Sequence, residues 1–440
     1  MKKITLSLSI ISFVCMLPWS GSAQKNEWVE QVIVANGNKY EVTPPFDDYV
    51  TVQTYDPATG ITSVFDEIKT QSVQDVVIAN YKIYVAAKDS IVVYDANSLQ
   101  RLAAVADSGL SRLFVFNNRL IVTKKQPIKR FFVEILDASN LSLIARVDNI
   151  SGDCKGVVST EDSIYIAVSG KLPETEGRLA VLNHTNWKLT REINFGTTAV
   201  GINDIYSYGG FIFCINETPH GGTDVGSITA YNIFSKTFTN YVIDFLVGNG
   251  NFGVKNSGIA GNMLYLTLDN GIGSFNLDTR MIADSVIFPD PGFLIHIIYS
   301  SYTTDYVNSY LCMNIGNGST LGLNVTGTTA GDSVTSFQTG LNANAIALDY
   351  RVPVAIDDSK TDESIVLYPN PVENRLRIIY PGNSPVTGII IRDITGRTIY
   401  QSHEPTFTGA WVDCSAYPSG LYFVTVKTDS GIISTKFIKK

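Results

Sequence analysis

Along most of the chain, apolar residues come in short runs of five or six, broken by Asn, Asp, Gly and Ser. Ile83-Tyr84-Val85-Ala86-Ala87, Leu120-Ile121-Val122-Thr123-Lys124 and Ile164-Tyr165-Ile166-Ala167-Val168 are typical. Runs of this length, rich in β-branched and aromatic residues and bounded by turn formers, predict strands buried on both faces. A phrase recurs after them, an apolar strand ending in Asp or Asn followed by turn residues. It appears at Tyr55-Asp56, Tyr94-Asp95, Leu136-Asp137, Leu182-Asn183, Tyr231-Asn232 and Phe275-Asn276, and in weaker form at Leu323-Asn324. The step is about 45 residues, a propeller-blade period. Asp or Asn suits that place because its side chain accepts a hydrogen bond from the backbone two residues on.

Two further strands precede each phrase, so each unit reads as four antiparallel strands, and stacked units are needed to bury both faces of each sheet. The first unit lacks its inner strand. Asn344-Ala345-Ile346-Ala347-Leu348, after the seventh phrase, has no unit of its own. Joined to 32–35, 49–55 and 61–65 it closes a ring and removes the exposed edges. The fold class expected is all-β: a seven-bladed β-propeller over 24–350, a polar linker over 351–364, and a small Ig-like β-sandwich over 365–440.

Composition agrees with this pattern. The 440 residues are 45% hydrophobic, 11% aromatic and only 17% charged, with 35 Gly. This excludes disorder and long helical repeats. The net charge of −8 argues against a nucleic-acid partner, which needs a concentrated basic face. Lys2 and Lys3, an apolar run to Pro18 and Gly21-Ser22-Ala23 form a signal peptide expected to be cut after Ala23. Phe13 and Val14 before Cys15 do not fit a lipid-attachment site. No transmembrane segment is expected in the mature chain. Cys154, Cys214, Cys312 and Cys414 stand in strand-like contexts and are expected as buried free thiols.

The second strands quoted above, with their Tyr/Leu-Asp/Asn turns, resemble YVTN/YncE-like seven-bladed propellers over about residues 28–350. Some propellers of that kind on Bacteroidota surfaces capture cobalamin and pass it to an outer-membrane transporter. The resemblance thus implies a corrinoid as one example of a ligand, beside a glycan or a protein. At the C-terminus, Tyr368-Pro369-Asn370-Pro371, Asp393-Ile394-Thr395-Gly396-Arg397, Tyr417-Pro418-Ser419-Gly420-Leu421-Tyr422 and the terminal Lys436-Phe437-Ile438-Lys439-Lys440 look like the type A sorting domain of the type IX secretion system. That resemblance implies export across the outer membrane. It also implies contact with the secretion machinery and its sortase, and release or attachment at the cell surface.

Chemistry-bearing motifs are few. Gly248-Asn249-Gly250-Asn251-Phe252-Gly253 has dinucleotide-loop spacing but no helical pattern after it. His184, His220, His296 and His403 form no close ligand pair, and no metal, cofactor or catalytic residue is assigned. Strand alternation places the loops between second and third strands on one face with the blade-to-blade crossings. The loops 38–48, 125–130, 170–177 and 217–226 are long, and function gathers on such loops. Ligand-binding residues are expected there: Tyr40 and Phe46 from the loops, and Arg112, Lys155, Asn203, Asp204, Phe252, Lys255, Asn256, His296 and Asn344 from the crossings. Lys124, Lys125, Lys129 and Arg130 add a basic group, and Glu174 and Glu176 an acidic pair. The function expected is non-enzymatic ligand capture at the cell surface. The alternatives are a polysaccharide lyase or hydrolase built around Asp204 and His296, or an adhesin without a small ligand.

Overall fold

The computed structural model describes residues 28–37, 49–160, 163–170, 176–216, 226–243, 246, 257–268, 271–289, 299–304, 308–316, 319–326, 334–351, 365–380, 386–402, 410–428 and 431–440. Strands dominate, with one short 3-10 turn at Thr197–Ala199. Seven four-stranded antiparallel sheets follow one another as blades. Blade 1 combines Ala343–Arg351 with Trp28–Asn36, Val50–Tyr55 and Thr62–Ile68. Blade 2 is Asp75–Ala79, Lys82–Ala87, Ser90–Asp95 and Arg101–Ala106, and blade 3 is Leu110–Phe116, Arg119–Lys124, Val133–Asp137 and Leu143–Val147. Blade 4 runs through Asp153–Ser159, Ser163–Gly170, Gly177–Asn183 and Leu189–Gly196, and blade 5 through Ile202–Tyr208, Phe211–Asn216, Ser227–Asn232 and Phe238–Val242. Blade 6 comprises Gly258–Ala260, Met263–Leu268, Gly271–Asn276 and Met281–Pro289, and blade 7 Tyr299–Thr304, Asn308–Gly316, Ser319–Thr326 and Val334–Gln338.

The ring closes as the orphan strand requires. Val32, Ile33 and Val34 pair with Leu348, Ala347 and Ile346. The buried apolar residues gather in one cluster at each of the seven blade interfaces. Strand alternation sorts them: Ile83, Val85 and Ala87 face blade 1, while Tyr84 and Ala86 of the same strand face blade 3. Both faces of a strand therefore lie in hydrophobic contact, which is why the runs are continuously apolar. The closing blade is also tied to blade 2. Asp349 Oδ2 accepts hydrogen bonds from Gln31 Nε2 (2.9 Å) and Arg351 Nη2 (2.7 Å), and Gln31 Nε2 also donates to the Ala96 carbonyl (2.7 Å).

The recurring phrase forms one stereotyped turn. Asp56, Asp95, Asp137, Asn183, Asn232 and Asn276 each accept, through a side-chain oxygen, the amide two residues on. The residue four on adopts the left-handed conformation and donates its amide back: Gly60, Leu99, Leu141, Trp187, Lys236 and Arg280. In blades 1 to 3 the acceptor is a carboxylate. The Thr59 hydroxyl holds Asp56 below the usual aspartate range, the Ser98 amide does so for Asp95, and the Ser139 hydroxyl for Asp137. A carboxylate depressed in the fold binds its proton more weakly than in the unfolded chain. Its contribution is therefore present above the unfolded value of about 3.9 and lost as pH falls through the folded one. Amide exchange followed from pH 5 to pH 3 should show the turns of blades 1 to 3 loosening while the Asn turns of blades 4 to 6 hold. Equal loosening in both sets would contradict this.

The C-terminal domain is a two-sheet sandwich. Val366–Tyr368, Arg375–Ile379 and Ala410–Asp413 form one sheet, and Thr398–Ser402, Val386–Asp393, Gly420–Thr428 and Gly431–Lys439 the other. Leu376, Ile378, Ile391, Val412, Val424 and Phe437 lie in its core. Cys154, Cys214, Cys312 and Cys414 are buried. The expected signal segment, residues 352–364 of the linker and the 248–253 glycine loop lie outside the described residues, while Arg351 ends the closing strand of blade 1.

Candidate functional site

Long loops between second and third strands occur on blades 1, 3, 4 and 5, not on every blade. In blades 2, 6 and 7 only two residues separate Ala87 from Ser90, Leu268 from Gly271 and Gly316 from Ser319. The long loops of blades 3 to 5 are contiguous around the ring, so this face is lopsided.

The inner strands begin at that face, and their pairing is irregular there. The ladder of blade 3 skips between Leu110 and Leu113, that of blade 4 between Cys154 and Val157, and that of blade 5 between Ile202 and Asp204. In blade 1 it skips between Ala343 and Ala345. The residues left over are Ser111 and Arg112, Lys155 and Gly156, Asn203, and Asn344. Bulges of this kind re-aim a side chain and are frequent beside binding sites. Four of the expected residues thus share one structural position. In blade 3 the bulge is pinned by Thr123 Oγ1, which accepts the Arg112 amide (2.9 Å). Arg112 Nη1 donates to the Gln74 carbonyl of blade 2 (3.2 Å).

Blades 3, 4 and 5 bring three of the four together. Lys125, in the loop after the second strand of blade 3, donates its amide to Gly109 (2.7 Å). Gly109 sits at φ +71°, where a Cβ would meet Ile128 and the Lys125 carbonyl, so the loop is drawn tightly onto the strand start. Burial, then the Arg112 and Lys155 charges, push the Lys125 ammonium down to about 8, with Asp153 opposing. Arg112 also lies near enough to blade 5 for its charge to act on the Tyr206 hydroxyl, which burial and the Asp204 carboxylate hold well above the usual tyrosine value. Asn344 sits on blade 1, separated from blade 3 by blade 2.

Asp204 is fully engaged in scaffolding. It accepts from the Ile205 amide (3.0 Å), the Tyr206 hydroxyl (3.0 Å) and Ser257 Oγ (3.3 Å), joining blade 5 to blade 6. On its other side a Cβ on Gly156 would lie 2.5 Å from Asp204 Oδ1, so blade 4 packs against it as well. These contacts give the carboxylate a structural task. Tyr206 and Ser257 were not evident from the sequence, although Tyr206 shares the strand face of Asp204 by period-two spacing.

The basic group expected at 124–130 divides. Lys124 turns to the blade 2–3 interface, where it pairs with Asp107 and Glu134. Arg130 pairs with Asp148 (2.6 Å) and Glu176 with Arg178 (2.6 Å). Only Lys125 joins Arg112 and Lys155. Tyr40, Phe46, Glu174, Phe252, Lys255, Asn256 and His296 lie outside the described residues, and Lys129 is exposed. Among the described residues no group of three His, Cys, Asp or Glu is placed to hold a metal, and no helix is long and apolar enough to cross a membrane.

The sorting-motif residues occupy turns and the final strand of the sandwich. Asn370, flanked by Pro369 and Pro371, accepts the Ile438 amide through its side chain (2.9 Å), and the Val372 amide donates to Ile438 (2.7 Å). Gly396 takes φ +84° in a turn closed by Asp393, which accepts the Thr395 amide (2.9 Å). Tyr422, on the strand opened by Gly420, donates its hydroxyl to the Pro418 carbonyl (2.8 Å) and stacks on Phe437 at 5.3 Å. Tyr368 is half-buried and Lys436 exposed.

Residues 366–440 match the family described as the secretion system C-terminal sorting domain. This segment is the sorting domain of the type IX secretion system, and it marks the protein for the cell surface or the exterior. The propeller is similar in fold to a hypothetical selenium-binding protein from Sulfolobus tokodaii. The match has a TM-score of 0.52 and 10% identity, covering 73% of this chain and 93% of that one. Hydrazine synthase of Kuenenia stuttgartiensis aligns at TM-score 0.49 and 10% identity over 73% and 99% of the two chains. BamB from Moraxella catarrhalis aligns at 0.42 and 10% over 79% and 93%. No curated protein matches the sequence.

Proposed function

We propose that the propeller is a non-enzymatic binding module presented outside the cell, taking its ligand on the face where the inner strands begin. The observation that carries this reading is that Arg112, Lys155 and Asn203 lie in ladder irregularities of three consecutive inner strands, with Lys125 close enough to feel the Arg112 and Lys155 charges. Polar groups displaced from a rigid frame are what a specific site needs. The scaffolding role of Asp204 counts against the lyase or hydrolase alternative, which depended on it. A corrinoid is the ligand class implied by the resemblance to cobalamin-capturing propellers, and glycans and haem are the other classes worth testing.

A thermal-shift series on the purified exported protein, with corrinoids, haem and glycans, tests this. A true ligand at about 100 times its Kd stabilises by about 2.7 kcal/mol. The shift should shrink in Lys155→Ala and Asn203→Ala. A shift unchanged in both variants, or no shift with any class, would count against this face.

A further inference from the structure

We propose that Arg112 grips an oxyanion, a carboxylate or phosphate group of the ligand, with Lys125 and Lys155 beside it. This rests on the reading that this face takes a ligand and adds the chemistry by which it does so.

The argument begins with the guanidinium. Arg112 is 3% exposed, and arginine does not lose its proton in a protein. A buried charge of this kind normally has a partner. Among the described residues no carboxylate forms an ion pair with it. Its Nη1 reaches a backbone carbonyl, while Nε and Nη2 are buried and have no hydrogen-bond partner. Nε and Nη2 form the side edge that holds two oxygens in parallel. Elsewhere this chain uses the same edge on carboxylates. Arg130 grips both oxygens of Asp148 with Nε and Nη2 (3.2 and 2.6 Å), and Arg351 directs the same pair at Asp349 (3.2 and 2.7 Å).

The surroundings favour an anion too. Carboxylates on the adjoining inner strands hold backbone amides. Asp75 accepts the Val76 and Leu113 amides, Asp153 accepts the Gln126 amide, and Asp204 is held as described. Lys125 and Lys155 add positive charge near Arg112. Burial, then the Arg112 and Lys155 charges, push the Lys125 ammonium down to about 8 against the opposing Asp153. An anion would restore its charge and draw that value upward.

The test follows arginine Nε–H signals in proton–nitrogen spectra of the whole exported protein, titrated with inorganic phosphate or, separately, succinate. The Arg112 signal is assigned by its loss in Arg112→Lys. It should shift saturably with one anion or both, and which one answers separates a phosphate from a carboxylate ligand. Lys125→Met, with the fold intact by its spectrum, should weaken the anion roughly tenfold, the loss of one charge-assisted contact. In the unsubstituted protein, raising pH from 7 to 9 should weaken it as Lys125 discharges, and Lys125→Met should remove that dependence. An Arg112 signal that neither anion moves, or one that moves equally with Lys125 replaced, overturns the proposal. If anions fail while a neutral glycan still stabilises the protein in a Lys155-dependent way, only the oxyanion falls. If nothing binds by either measurement, the binding face falls with it.

Discussion

A chain ending at Arg351 is expected to disappear from the cell surface. Among the described residues the sandwich has its own core, drawn from residues of 365–437, with no buried cluster shared with the blades. Its removal should therefore leave the seven blade interfaces intact while taking away the export signal. Immunodetection on intact cells, with surface proteolysis, should find little or no truncated protein outside and a proteolytically stable propeller inside. Undiminished surface display would show that another segment directs export. The complementary variant is Asn370→Ala. It removes the acceptor for the Ile438 amide at the final strand while leaving the rest of the sandwich core, and should lower surface display without emptying it.

The second large effect is expected at Lys124. Its side chain is buried between blades 2 and 3 and pairs with Asp107 of one and Glu134 of the other (2.9 Å to Glu134), while Arg146 closes on Glu134 from outside (2.8 Å). Burial raises the Asp107 carboxyl above its ordinary value despite Lys124. Burial acts the same way on Glu134, but there the Arg146 and Lys124 hydrogen bonds prevail and hold it low. Lys124→Met keeps most of the side-chain volume and leaves two carboxylates facing each other without their shared cation. Breaking a buried pair in this way costs about 3–5 kcal/mol, measurable as a fall in the urea midpoint. The sign with pH follows. A carboxyl whose folded pKa is raised binds its proton more tightly in the fold, so stability returns as pH falls through that folded value. The deficit of Lys124→Met should be smaller at pH 5 than at pH 7.5. A midpoint equal to that of the unsubstituted protein would mean the network has no net stabilising role.

Lys124 and Lys125 also show where reading the sequence stops. Both belong to one basic group by spacing, yet Lys124 ends the strand facing blade 2 while Lys125 starts the loop that turns back onto Gly109. One is neutralised at a blade interface and the other stands beside Arg112. Asp204 is similar. As a lone carboxylate at an inner strand it reads as candidate chemistry, but Tyr206, Ser257 and the close approach of Gly156 make it a joint between three blades. The choice of Arg112, Lys155, Asn203 and Asn344 came from their place at the strand starts. That all four are bulged residues was not legible, because a bulge is set by the partner strand's register.

The sequence by itself determined the architecture. Continuous apolar runs demand burial on both faces, Asp or Asn at the third-strand end of blades 1 to 6 marks the repeat, and one unpaired strand at 344–348 closes the ring. It also determined the destination, through motifs whose residues lie close together in the chain. These are local signals, carried by period-two patterning and turn chemistry. Only the tertiary structure decided which charges cancel, because partners come from paired strands and from the neighbouring blade, as Lys124 with Glu134 and Asp107, or Arg101 with Asp66. An ion pair depends on distances across those pairings, and spacing along the chain does not encode them.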